Sequence, residues 1–307
     1  MTHFLQSPAW QKFQESIGRT TFSRQGDGWQ FMAILEHGKF NSRLYCPYGP
    51  DARDETTFLQ SLEALKTLGI EQNVTFIRVE PENQECIKIL ETHQWRPVTY
   101  QKLQPSHTSI INLSQSTDEL VAHMSQPNRN IYRNYVKKGL KVHQTSDPTD
   151  IKILLKFVHQ VAERTGFRPH SDQYFEKQAQ ALFPIGAASL WYATIDNKPI
   201  AAALFYDSDD TRIYAHAGAS SLPEHRKLNA GTALLTEAIV DTKQKGLAKF
   251  DLYGIAPDGA PKSHPWAGFT KFKRSFGGTD VNFAGAWDLP IKKPQYWLYR
   301  GYQSVRK

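Results

Sequence analysis

The sequence predicts a mixed α/β (α+β) protein built as two lobes, each a mixed sheet flanked by helices, with no coiled-coil arm. Three observations carry that prediction. Helix-like and strand-like periodicities alternate along the chain, the later half repeats the outline of the earlier one, and 307 residues with 40% hydrophobic content suit two modest cores better than one. The first lobe is expected over residues 1–115 plus 285–307 and the second over 116–284.

Ser7 and Pro8 open a short helix holding Trp10 and Phe13, because proline is tolerated in a first helical turn. Two strands flank Gly26-Asp27-Gly28, where glycine accepts the positive φ of a hairpin turn. RLYCPYGP reads as a further strand ending in turn residues. A helix over about Thr56–Leu68, a buried strand VTFIRVEP, a helix over Glu82–Glu91, and strands over Val98–Leu103 and Thr108–Leu113 follow.

Ser116 and Glu119 have capping-box spacing and open the second lobe. From Ile151, the residues Leu154, Leu155, Val158, Val161 and Ala162 recur at helical spacing until Gly166. A helix over Asp172–Leu182 precedes the strands SLWYATI and AAALFYD, joined at Asn197-Lys198, and then TRIYAHAG; this is an antiparallel meander. A helix over Asn229–Lys245, stopped by Gly246, leads to the strand KFDLYGI. In HPWAGFTKFKRSFGG, the aromatics Trp266, Phe269, Phe272 and Phe276 are spaced by three and four, which places them on one side of a helix near Lys271, Lys273 and Arg274.

The net charge of +7 and the pI of about 9.2 favour an anionic partner: nucleic acid, a nucleotide-linked substrate or an acidic membrane surface. Three stretches hold bases and no acids: Arg129–Lys141, Lys262–Arg274 and Lys292–Lys307. No apolar run approaches the ~20 residues that span a bilayer, and MTHFLQSPAW lacks the regions of a secretion signal, so a cytoplasmic location is expected. Cys46 and Cys86 have no neighbours at metal-binding spacing and read as packing residues.

Three antiparallel strands, a helix and another strand form the layout of an acetyl-CoA-dependent N-acyltransferase of the GNAT type. The phosphate-cradling loop of that fold falls here on Arg226-Lys227-Leu228-Asn229-Ala230-Gly231, with Asn229 in place of the first glycine. Asparagine tolerates the left-handed turn, but its side chain would crowd a phosphate.

FLQSPAWQKF, YCPYGP, FIRVEPE, RTGFRPHSDQYF, YAHAGASS, FDLYGI and FKRSFGG occur in an order and spacing that resembles the Fem family of peptidoglycan bridge-forming aminoacyltransferases, over nearly the whole chain. The resemblance implies two GNAT-like lobes and no metal or organic cofactor. It implies an aminoacyl-tRNA donor and a UDP-linked or lipid-linked muropeptide acceptor, with action in the cytoplasm at the inner face of the plasma membrane; peripheral contact with an anionic membrane stays open. Lys273 matches the Lys of the family's Phe-Lys pair and is expected to stabilise the oxyanion of ester aminolysis or to bind the terminal phosphate of tRNA, with Phe272 shaping the pocket. Glu80 stands where the family often has Asp, and Tyr174 and Tyr214 match tyrosines near the acceptor. At two positions the chain departs from the pattern: His170 replaces an Arg four residues before the first Tyr, and Gln14 replaces a phosphate-binding Lys. Arg168, Arg129 and Arg133 are the candidates to take over those charges. Two alternatives remain: an acyl-CoA-dependent GNAT-type transferase, and a tRNA-binding module without chemistry.

Overall fold

Ser7 accepts a hydrogen bond from the Trp10 amide and so starts α1 (Pro8–Ser16), with Pro8 in its first turn. The fold is described from a computed structural model for residues 2–39, 41–101, 103–166 and 168–305. β1 (Thr20–Gly26) and β2 (Trp29–His37) then form an antiparallel hairpin whose tip, Asp27-Gly28, uses a positive φ of 78° at Gly28. β3 (Ser42–Cys46) runs antiparallel to β2, and β4 (Asp51–Ala52) adds a short pairing to the other end of β2. Asp54 and Thr57 make a reciprocal capping box that starts α2 (Glu55–Glu71). The helix buries Phe58, Leu62, Leu65 and Leu68 against the sheet and leads into β5 (Phe76–Val79), which pairs parallel with β3. α3 (Cys86–Thr92) and β6 (Arg96–Pro97) follow.

The strand expected over Val98–Leu103 does not form among the described residues, and Lys102 lies outside them. Pro97 has no amide to donate to a ladder. Beyond it, Tyr100 and Gln101 accompany a buried ion pair instead of a neighbouring strand.

β7 (His107–Asn112) begins the second sheet, and α4 (Thr117–His123) starts with the capping box expected of Ser116 and Glu119. α5 (Gln126–Asn134), β8 (Lys141–Thr145), α6 (Ile151–Thr165) and α7 (Asp172–Leu182) come next, with α6 ending at Gly166 in a left-handed conformation. β9 (Ala188–Ile195), β10 (Lys198–Asp207) and β11 (Thr211–Ala219) form the expected meander. Its first turn falls on Asp196-Asn197, both at positive φ, one residue earlier than the sequence places it. α8 (Pro223–Arg226), α9 (Ala230–Gln244), β12 (Lys249–Asp251), α10 (Ala267–Arg274) and β13 (Thr279–Asn282) complete the series. The strand order is β13-β7-β12-β11-β10-β9-β8, with β11 and β12 parallel. α9 packs Ala233, Leu234, Ala238 and Ile239 into the core with Phe205 and Phe250, while α6 covers the other face. Gly218 is required there, because a Cβ would come within 2.8 Å of Phe157.

The chain then returns to the first sheet with β14 (Trp287–Pro290), inserted between β5 and β6, and ends in α11 (Lys293–Val305). Two compact units result: Met1–Ser106 with Asn282–Lys307, and His107–Val281. The division falls at 106/107 and 281/282, where the sequence reading has 115/116 and 284/285, because β7 pairs with β12. Both sheets are mixed, and helices pack on each. No helix among the described residues is long and apolar enough to cross a membrane. Cys46 and Cys86 are buried and free.

Candidate active site

β12 ends at Asp251, a buried carboxylate that accepts hydrogen bonds from the Thr108 hydroxyl and, at 2.7 Å, from the Tyr253 amide. The second bond folds the chain back within two residues and accompanies a φ of 58° at Tyr253. The carbonyls of Tyr253 and Gly254 are thereby available to α10, and Lys273 Nζ donates to them at 2.9 and 2.8 Å. Thr270 Oγ1 accepts from the Ala256 amide at 2.8 Å and so ties the same helix to the same loop.

After α10, Ser275 is gripped by the Ser125 amide at its carbonyl and by Asn128 Nδ2 at its hydroxyl, both at 2.8 Å. Gly277 (φ 82°) and Gly278 let the chain pass close to its neighbours. A Cβ on them would lie 2.8 Å from the His123 carbonyl oxygen and 2.7 Å from Ser109 Oγ. Lysine 273 is thus held from both ends of its helix.

Burial pushes the Lys273 ammonium down to about 8, opposed by the Asp251 charge. Burial pushes Asp251 up, and Thr108, the Tyr253 amide and Lys273 counter it. Two of the three ammonium hydrogens meet neutral carbonyls, so most of the charge is not cancelled by direct pairing. Nζ lies 5.8 Å from the centre of the Tyr214 ring. A β-bulge between the Leu204 and Phe205 pairings shifts the alternation of β11, so that Tyr214, Ala217 and Ala219 pack on the α9 side while His216 meets Phe175 at 5.0 Å. Burial raises the Tyr214 hydroxyl, which stays a protonated donor at neutral pH.

Tyr214 and Phe272 line a groove of about 650 Å³ in the second unit, together with Phe269, Ala217 and the start of α9 at Asn229–Thr232. Asn229 adopts the left-handed turn (φ 52°), and its side-chain amide turns to the Lys227 carbonyl, leaving the helix start without a side-chain cap. Uncapped amides at a helix N-terminus form an environment for a phosphate or carboxylate, and Arg164, His225 and Arg226 border the same groove. Among the described residues no group of three or more His, Cys, Asp and Glu side chains could hold a metal ion.

Other expected site residues lie elsewhere. Tyr174, in the first turn of α7, stacks on His170 at 4.1 Å, and Phe175 links that pair to His216. His216 is pushed down to about 4 by burial and by His170. Arg168 and Arg133 are exposed. Arg129 donates to the carbonyls of Ala122 and Met124 at 3.0 and 2.5 Å, which satisfies the end of α4 and is a structural role. Gln14 is wholly buried and accepts from Arg19 at 2.8 Å. Glu80 is buried beside β5, accepts from the Tyr45 hydroxyl at 2.6 Å and is pushed up to about 7 by burial. The aromatic face expected of α10 is divided: Phe276 is core and Phe272 half-buried, whereas Trp266 and Phe269 are exposed. Sequence reasoning passed over Asp251, Tyr253 and His216. An acid between the buried Phe250 and Leu252 was the available signal for the first.

A family profile described as the FemAB family matches residues 84–198 and 185–304. A lipid II:glycine glycyltransferase of Staphylococcus epidermidis is 24% identical over 231 residues, which cover 66% of this chain and 55% of the relative. The chain therefore matches about half the length of that relative. Among solved structures, one titled as the crystal structure of FemX has a TM-score of 0.85 at 16% identity, covering 96% of this chain and 94% of that one. A tandem GNAT protein from the clavulanic acid biosynthesis pathway has a TM-score of 0.54 at 12% identity, covering 89% and 83%. These likenesses show the fold: two GNAT-like lobes.

Proposed function

The chain belongs to the FemAB family, and from that premise we propose that it is an aminoacyltransferase that moves an amino acid from the ester of an aminoacyl-tRNA to the stem-peptide amine of a peptidoglycan precursor. The glycyltransferase relative, named for action on lipid II, supports an acceptor of that class, whether lipid-linked or nucleotide-linked. The single observation that carries the chemistry is Lys273, a half-buried cation fixed by two backbone carbonyls and 5.8 Å from the ring of Tyr214, which lines the groove.

The neutral acceptor amine attacks the ester carbonyl carbon. The new C–N bond forms, and the carbonyl oxygen takes negative charge, which an ammonium held in a partly desolvated site stabilises more strongly than water does. Collapse breaks the C–O bond to the ribose. The ribose hydroxyl leaves with a proton, and the attacking nitrogen loses one. Phe272 and Tyr214 shape the apolar wall of the groove, and the uncapped start of α9 suits a phosphate of the donor's terminal nucleotide.

That helix start equally suits the pyrophosphate of an acyl-CoA, which keeps the GNAT-type donor as a second reading. The test incubates the protein with radiolabelled aminoacyl-tRNA pools and cell-wall precursors, with and without ribonuclease, and with acetyl-CoA in a parallel arm. Labelled precursor that disappears with ribonuclease is expected, and Lys273→Met should lower transfer by roughly 10² or more. Acetyl transfer without aminoacyl transfer would replace the donor. Tight binding of charged and uncharged tRNA with no product would leave only a binding module.

A further inference from the structure

The outer face of α11 exposes Trp297, Leu298 and Tyr302 at 50%, 76% and 45%, while Tyr296 and Tyr299 on its inner face are buried. Leu298 and Tyr302 lie four residues apart, one turn up the same face. They also border a cavity of about 980 Å³ in the first unit that contains Arg19, Lys39 and Arg43. The acid there, Glu36, is held by Arg43 at 2.5 Å and sits 3.8 Å from Arg19. At the other edge, the Arg96 guanidinium lies 5.0 Å from the Trp297 ring, and Lys292 and Lys293 stand at the helix start. Lys292–Lys307 contains no acid.

We propose that this face is a docking surface for an anionic phospholipid bilayer, with Trp297, Leu298 and Tyr302 entering the headgroup boundary and the surrounding lysines and arginines meeting lipid phosphates. A helix with an aliphatic residue at its apex, flanking Trp and Tyr, and a basic rim has the composition of an interfacial helix. Charge decides against one other occupant of such a face, and the exposed Leu298 against another. A second copy would bring the same positive rim against itself, and a nucleic acid would use the aromatics and bases but give Leu298 no apolar surface to enter. The proposal stands independently of the transfer reaction, because none of these residues belongs to the groove lined by Tyr214 and Phe272.

The test is co-sedimentation of the full chain with vesicles of phosphatidylcholine alone, or with about 30% phosphatidylglycerol, at low and high salt. Binding only to the anionic vesicles, weakened by salt, is expected. Leu298→Asp should weaken it roughly tenfold or more, and Lys292→Glu with Lys293→Glu should abolish the preference for phosphatidylglycerol. An unchanged urea midpoint for Leu298→Asp shows that the fold is intact. Equal sedimentation with both vesicle types, or wild-type binding by Leu298→Asp, overturns the proposal. So does a wild-type oligomer that Leu298→Asp converts to a monomer, which assigns the face to a second copy, and so does an equal loss of tRNA binding, which assigns it to RNA.

Discussion

Each unit buries an arginine in its sheet, and the second also half-buries a lysine; the three cations are held in different ways. In the first unit, Arg78 and Asp288 face each other across β5 and β14 with bonds of 2.7 and 2.9 Å, both side chains wholly buried. In the second, the buried Arg212 bonds Asp207 and Asp241 at 2.6 to 2.7 Å, but those carboxylates are 21% and 26% exposed. Both arginines are neutralised by carboxylates and serve as clasps between elements. Lys273 instead rests on two carbonyls, while the nearby Asp251 is engaged by Thr108 and Tyr253. A clasp cancels charge, whereas the two carbonyls that hold Lys273 do not, and the function proposed above uses that charge.

The largest effect should come from breaking the drier clasp. Asp288→Ala leaves the Arg78 guanidinium buried without its carboxylate, and removing one partner of a buried pair costs about 3–5 kcal/mol. Asp241→Ala should cost less, about 1–2 kcal/mol, because Arg212 retains Asp207 and water reaches the site. Urea midpoints at matched slope measure both. Equal losses would show that the two clasps do not differ as their exposures imply.

Lys273 is the next test, and here the readout is a pH profile. Burial holds its ammonium at about 8, so the cation is present at neutral pH and is lost as pH rises through that value. Transfer should therefore decline above about pH 8, by up to roughly 10² at full deprotonation. Lys273→Arg keeps its charge throughout and should lose the descending limb, even with a lower maximum. A limb that persists in the arginine variant belongs to another group.

Much of this frame was legible because periodicity is local. The meander, the α6 face and the Ser116–Glu119 capping box depend on residues a few positions apart, and they stand where their spacing puts them, the first turn of the meander to within one residue. The clasp in the first unit was not legible, since Arg78 and Asp288 are 210 residues apart and no local pattern joins them. The same distance explains the strand misread over Val98–Leu103: Tyr100 and Gln101 answer to Asp288 and Arg78. The helix that carries Phe272 and Lys273 was legible through the spacing of its aromatics, but the loop that holds the ammonium was not, because a left-handed Tyr253 has no sequence signal comparable to glycine. Arg129 shows the converse. A base in a basic stretch suggested a phosphate ligand, and its guanidinium is occupied by helix-end carbonyls.

The last effect concerns Glu80, a buried acid of the first unit with no base bonded to it among the described residues, and it works through stability. Burial raises its folded value to about 7 from an ordinary 4.5, despite the Tyr45 hydroxyl. Below pH 4.5 the carboxyl is protonated in both folded and unfolded chains and costs nothing. As pH rises towards 7 the unfolded chain ionises first, so the folded state loses stability relative to it, and above 7 the penalty is constant. Glu80→Gln cannot ionise and still accepts from Tyr45. Its stability relative to wild type should therefore climb by about 1–3 kcal/mol between pH 4.5 and pH 8, whatever its offset at low pH. Parallel stability curves for the two proteins would show that the ionised carboxylate is as well solvated in the first unit as in water, and the contrast with the clasped Asp288 would fail.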